Sequence, residues 1–152
     1  MFGKKEEDMP LSNSVSVGSL RAEPAPSTAP SAKKRILLVD DDEAFLELSA
    51  SRLEGAGYEV SRASSWAQTL PHLRQGVDMV LLDVHMTSLE GDKLCHIIKS
   101  HENAWPGLKV LLHSSEDEDE LRRMAQISRA DGYVSKSRGR DELLEKVRLY
   151  LS

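Results

Sequence analysis

Five polar side chains stand where apolar runs stop, and their types together suit phosphoryl chemistry. Asp40 and Asp41 follow Ile36-Leu37-Leu38-Val39, and Asp83 ends the run Met79-Val80-Leu81-Leu82. Ser114 follows Leu108-Lys109-Val110-Leu111-Leu112-His113, and Lys136 follows Tyr133-Val134-Ser135. Short apolar runs of this kind read as strands buried on both faces of a parallel sheet, where ligands bind beyond the strands' carboxyl ends. Three carboxylates held close repel one another, and their proton affinity rises unless a cation intervenes. A hard divalent ion with oxygen ligands relieves that repulsion, and Mg²⁺ suits a site with few protein ligands because it keeps several waters. Lys136 adds a mobile ammonium and Ser114 a hydroxyl donor. A cation, an ammonium and a hydroxyl around one nucleophilic carboxylate, Asp83, make a site for accepting a phosphoryl group, because they neutralise its oxygens as charge develops.

The elements that must position these groups alternate. Ile36–Val39 reads as the first strand, and the helix after it is expected to carry Ala44, Phe45, Leu48 and Leu53, stopping at Gly55 and Gly57. Tyr58-Glu59-Val60-Ser61 is a shorter second strand. Ser64 or Ser65 is placed to cap a helix with Trp66, Leu70 and Leu73 that ends near Gly76, with Pro71 expected to kink or shorten it. After the strand at Met79–Asp83, a helix from about Leu89 would turn Leu94, Ile97 and Ile98 inward. Pro106-Gly107 turns the chain into the fourth strand. The run Glu116 to Glu120 then opens a helix continuing through Leu121, Met124, Ala125 and Ile127, its acids favoured by the helix dipole. Asp131-Gly132 turns into the fifth strand, and the last helix packs Leu143, Leu144, Val147 and Tyr150. Five strands alternating with five helices predict an α/β fold, flavodoxin-like and doubly wound, with a parallel sheet of order 2-1-3-4-5. In that order the strands ending in Asp40, Asp83, Ser114 and Lys136 are neighbours, so the groups converge on one pocket.

Composition sets the outer limits. The 152 residues suffice for one ordinary domain, and the 39% hydrophobic content is low enough to suggest that part of the chain lies outside the core. Residues 1–32 are rich in Ser, Pro and Ala and are expected to form a disordered tail, with the domain proper over 33–152. A net charge of −5 argues against nonspecific binding to nucleic acid or anionic membrane. The single cysteine, Cys95, forms no internal disulfide and reads as a core residue. With no long apolar run and no signal-peptide centre, the expectation is a cytoplasmic protein without membrane insertion. The last helix nearly reaches the end of the sequence, so the reading has no effector domain following it and no direct DNA binding.

Four motifs, Ile36-Leu-Leu-Val-Asp40-Asp41-Asp42, Val80-Leu-Leu-Asp83-Val-His-Met, Val110-Leu-Leu-His-Ser114-Ser115 and Gly132-Tyr133-Val-Ser-Lys136, occur in order on successive strands. Over about residues 33 to 152 this pattern resembles the receiver domain of bacterial two-component response regulators, here of the stand-alone type. The resemblance implies that Asp83 is the phosphoacceptor, Asp41 a direct Mg²⁺ ligand and Asp40 an acid that holds the metal through water. It also implies the backbone carbonyl of His85 as a third ligand, Ser114 and Tyr133 as switch residues, and Lys136 as the phosphate-binding lysine. It implies donation of the phosphoryl group by a sensor histidine kinase or a phosphotransfer protein, and a downstream protein partner at the face of the fourth helix, fifth strand and fifth helix.

Two positions depart from the family pattern: Thr87 and Ser137 stand where it usually has proline. Ser137 predicts a trans bond after Lys136, where the family's Lys-Pro is commonly cis. The side chain of His85 is placed beside the water path to the phosphoryl group. Two other function classes compete. One is a pseudo-receiver scaffold that binds partners without phosphorylation. The other is an aspartate-nucleophile phosphatase, which resembles an Asp-x-Asp arrangement where this chain has Asp83-Val84-His85.

Overall fold

The computed structural model describes residues 33–85 and 91–152. The expected tail over 1–32, the start of the third helix at Leu89 and the departure at Thr87 lie outside the described residues. Among the described residues five strands alternate with five α-helices. They are β1 (Arg35–Val39), α1 (Glu43–Gly55), β2 (Glu59–Ala63), α2 (Trp66–Gln75), β3 (Met79–Leu82), α3 (Gly91–Ser100), β4 (Lys109–Ser114), α4 (Glu118–Ser128), β5 (Gly132–Ser135) and α5 (Gly139–Leu151). All pairings are parallel and the strand order is β2-β1-β3-β4-β5, as the alternation predicted.

The register sorts the apolar runs onto two faces. Val39, Leu82, Leu112 and Tyr133 lie in one row across the sheet, and Leu38, Leu81, Leu111 and Gly132 in the next. Because side chains alternate along a strand, neighbouring rows face opposite ways. Leu37, Val39, Val80, Leu82, Val110 and Leu112 pack under Leu73 of α2, Leu94, Cys95 and Ile98 of α3, and Leu121 and Ala125 of α4. Ile36, Leu38, Met79, Leu81, Leu111 and Val134 pack against Leu46, Ala50 and Leu53 of α1 and Leu143 and Val147 of α5. Both faces are thus dry, which explains why the strands read as continuous apolar runs rather than as alternation. Trp66 and Trp105 pack at the margin of the first cluster.

Three helices present a different stripe from the expected one. In α1 the buried positions are Leu46, Ser49, Ala50 and Leu53, an i, i+3, i+4, i+7 set, while Leu48 is exposed and Ala44 lies on the solvent side. In α3, Leu94, Cys95 and Ile98 are buried and Ile97 stands out of the core. Ile127 of α4, 63% exposed, likewise faces solvent while Leu121, Ala125 and Ser128 turn inward. Of these outward-facing residues only Ile97 was expected to face inward, and there Leu94, Cys95 and Ile98 define the buried stripe better. Ser65 is the residue that caps α2, and the helix runs on through Pro71 to Gln75 without being shortened. β2 extends to Ala63, where it accepts a hydrogen bond from Asp40 N. No helix among the described residues is long and apolar enough to cross a membrane.

Candidate functional site

The sheet's carboxyl edge gathers the acids. The backbone N–H of Asp83 donates to the carbonyl of Val39 (2.9 Å) and that of Asp40 to Ala63 (3.0 Å), so the ladder continues one residue past β1 and β3. Adjacent strands lie about 4.8 Å apart, so their terminal carboxylates are forced together. Asp40, Asp41 and Asp83 each offer an oxygen within 4.8 Å of the others'. Asp40 and Asp83 are buried and Asp41 is exposed. Asp42 lies outside this group: its carboxylate accepts from Phe45 N and caps α1. Asp40 Oδ1 accepts from Asp42 N (2.9 Å), which fixes the turn and leaves Oδ2 facing inward.

Lys136 arrives from β5, two strands away. Ser114 pairs with Ser135 at the end of the β4–β5 ladder, so Lys136 emerges level with the acids. Its Nζ lies 2.6 Å from Asp40 Oδ2 and 3.5 Å from Asp83 Oδ1, with the side chain only 15% exposed. The Lys136–Ser137 bond is trans, as Ser137 predicted. Two hydroxyls hold this turn. Ser135 Oγ accepts from Ser137 N (3.2 Å) and lies 2.7 Å from Ser137 Oγ.

The electrostatics follow from burial and charge. Burial raises the Asp83 carboxyl from its ordinary 3.8 to about 6; Asp40 adds to the rise, while Lys136 and the backbone amide of His85 oppose it. Three carboxylates against one ammonium leave the pocket with an excess of negative charge. Hard oxygen donors and this excess of negative charge suit a hard divalent cation of the Mg²⁺ kind rather than a soft, thiolate-seeking metal. The residues that would hold it are Asp40, Asp41 and Asp83.

The remaining sequence-derived residues lie on β4, on β5 and in the loop after β3. Ser114 is fully buried and its Oγ accepts from Glu116 N (3.2 Å), while the cap of α4 is Asp117. Tyr133 is half-buried. Its hydroxyl donates to Glu118 Oε2 (3.4 Å), and Arg138 Nη2 donates to the other oxygen of the same carboxylate (2.7 Å). Lys146 of α5 lies 4.5 Å from the Tyr133 ring centroid and donates to the Tyr133 carbonyl (2.9 Å). The His85 side chain, more than half exposed, pairs with Glu116, joining the loops after β3 and β4.

Sequence reasoning missed Phe45, His113 and Glu118. His113 is buried against Phe45, with ring centroids 5.3 Å apart. Burial, with help from Lys136 and Arg52, lowers its imidazole to about 3, so it is neutral at physiological pH. The sequence signal that could have found it is a histidine directly following the apolar run Val110-Leu111-Leu112.

Comparison with known proteins agrees with this geometry. The family model described as response regulator receiver domain matches residues 36–148. Over 116 residues the chain is 29% identical to the CAI-1 autoinducer sensor kinase/phosphatase CqsS of Vibrio cholerae, covering 76% of this chain and 17% of that protein. It is 33% identical over 114 residues to the uncharacterized transcriptional regulatory protein YrkP of Bacillus subtilis, covering 74% of this chain and 47% of the relative. The chain therefore spans less than half the length of either. Response regulator protein TrrA of Thermotoga maritima, solved in complex with Mg(2+)-BeF, superimposes with a TM-score of 0.67 at 32% identity, covering 78% of this chain and 99% of that one.

Proposed function

Because this chain belongs to the response regulator receiver family, we propose that it is a phosphorylation-controlled switch that accepts a phosphoryl group on Asp83. The family consists of phosphoacceptor signalling modules of two-component systems rather than enzymes in the usual sense, and its members partner histidine kinases. The observation that carries the finer reading is the convergence on Asp83 of Lys136, from a strand two places away, and of Asp40 and Asp41.

In the proposed reaction a carboxylate oxygen of Asp83 attacks the phosphorus of a phosphohistidine on a sensor kinase or phosphotransfer protein. The P–N bond breaks, its electron pair returns to the imidazole, and an acyl phosphate remains on Asp83. Asp40, Asp41, Asp83 and the backbone carbonyl of His85 would hold Mg²⁺, which would supply positive charge to the phosphoryl oxygens. Lys136 moves its ammonium from the carboxylates onto one phosphoryl oxygen, and Ser114 donates its hydroxyl to another. To do so Ser114 exchanges the Glu116 amide for the phosphate. Tyr133 then leaves Glu118 and turns toward the space Ser114 vacates, which alters the face formed by α4, β5 and α5, where a downstream protein partner docks. The phosphate biases this change only through the difference between its contacts in the two states. The domain over residues 33–152 carries the cycle in this proposal, in the cytoplasm.

The test is phosphotransfer from candidate kinases to wild type and to Asp83→Asn. Label on wild type alone, dependent on Mg²⁺, supports the switch. A wild-type chain that takes no label, and whose Ser114 and Tyr133 amides ignore beryllofluoride with Mg²⁺, belongs instead to the phosphate-independent scaffolds.

A further inference from the structure

We infer that Phe45 is a positioning residue for Lys136: its ring holds the ammonium at the height of the Asp83 carboxylate by a cation–π contact. This rests on the reading of Asp83 as phosphoacceptor. Phe45 sits in the first turn of α1, held there by its own N–H to the Asp42 carboxylate (3.1 Å). The Lys136 Nζ lies over the Phe45 ring, 4.4 Å from its centroid, and His113 of β4 packs on the same ring with centroids 5.3 Å apart at a tilt of 52°. The ammonium is thus bounded by the ring, by Asp40 at 2.6 Å and by Asp83 at 3.5 Å.

The chemistry of the contact matters. A carboxylate or carbonyl at this place would consume an N–H of Lys136. A ring face attracts the charge through its quadrupole and takes no hydrogen bond. All three N–H donors stay available for Asp40, Asp83 and an incoming phosphoryl oxygen. Without the ring, a side chain with four rotatable bonds is restrained at its tip only by Asp40 and Asp83, the groups it must partly release when phosphate arrives. Phe45 supplies a fixed point that does not change during the cycle. A neutral His113 packed on the same ring adds no second positive charge.

Two readouts test this. In wild type and in Phe45→Tyr, the ε-methylene protons of Lys136 are expected upfield of ordinary lysine positions, shifted by the ring current; in Phe45→Leu and Phe45→Met they return to them. The rate of Asp83 labelling by acetyl phosphate with Mg²⁺ is expected to fall roughly three- to thirty-fold in Phe45→Leu and Phe45→Met, the range a partly desolvated cation–π contact implies. Phe45→Tyr restores it. In a Lys136→Met background the Phe45 substitutions are expected to change the rate no further. Ordinary Lys136 shifts in wild type, an unaltered rate in both apolar variants, or an equal loss with and without Lys136 each overturns the inference. If wild type takes no label at all while the Lys136 protons still move with the ring, it is the phosphoacceptor reading that fails and not the contact.

Discussion

Replacing Asp83 by Asn should make the metal-free protein more stable at neutral pH, although it removes the group on which the proposed function depends. The Asp83 side chain is 8% exposed, so solvent screens its interactions little. Its carboxyl is raised from 3.8 to about 6, chiefly by burial and then by Asp40, with Lys136 pulling the other way. The folded state therefore binds this proton more tightly than the unfolded state. Between about pH 4 and pH 6 the native protein retains a proton that the unfolded chain has lost, so stability falls as pH rises through that window. At about 1.4 kcal/mol per tenfold change in proton affinity, the penalty carried by the ionised form above pH 6 approaches about 3 kcal/mol. Asn keeps the shape and loses the charge; the pairing with Lys136 that it surrenders is already counted in this net shift, so a gain of up to about 3 kcal/mol is expected at pH 7.5. For a domain of this size that is on the order of 5–10 °C in Tm. The assay is urea unfolding of wild type and Asp83→Asn in chelator from pH 4 to 8. The stability difference should be near zero at pH 4, widen toward pH 6 and stay level above pH 7. An Asn variant less stable than wild type at pH 7.5, or a gap indifferent to pH, refutes the reasoning.

Three further outcomes are expected. Millimolar Mg²⁺ should raise the Tm of wild type, because a ligand at 100 times its Kd adds about 2.7 kcal/mol, and Asp41→Asn or Asp83→Asn should abolish most of the rise in scanning calorimetry. Gly132→Ala should cost about 1–3 kcal/mol in urea unfolding, since its Cβ would lie 2.7 Å from Tyr150 Cζ and 3.1 Å from Leu111 Cδ2; adding Tyr150→Leu should recover part of the loss. Asp131→Ala should cost about 2–4 kcal/mol, because the carboxylate accepts from Val110 N (2.7 Å) and pairs with the largely buried Lys99 (3.1 Å); a cost below about 0.5 kcal/mol in chemical denaturation would show that water replaces both contacts.

The polar groups at the strand ends were legible because each interrupts an apolar run, and a doubly wound topology leaves few places for the interrupting residues to go. Asp40, Asp83 and Lys136 needed only strand order to be brought together. The helices were less legible. Phe45 and Leu48 are as apolar as Leu46, and hydropathy alone cannot say that one meets the ammonium, one meets water and one meets the core. The ties that hold Tyr133 were not legible either, because Glu118 and Lys146 reach it from α4 and from α5, while Arg138 holds Glu118 from the turn after β5. Surface acids and bases carry no spacing that announces a tertiary partner.

The turn at Lys136 shows how a missing residue type can be answered locally. The backbone must leave β5, present one lysine to a pocket at the strand ends and enter α5 three residues later. A proline after the lysine would fix the backbone covalently. Here Ser135 Oγ takes the Ser137 N–H and meets the Ser137 hydroxyl, so the turn is closed by hydrogen bonds that each contribute about 1 kcal/mol. Gly139, at φ +84°, then makes the bend into α5 that a side chain would resist. Lys146 reaches back from α5 to the Tyr133 carbonyl, and Phe45 and Asp40 receive the ammonium from the opposite side. Hydrogen bonds of this strength open more readily than a proline ring, so the lysine's turn in this chain is held mainly by what its tip touches. It follows that substitutions at the tip's partners, Asp40 and Phe45, should disturb Lys136 more than Ser137→Ala does.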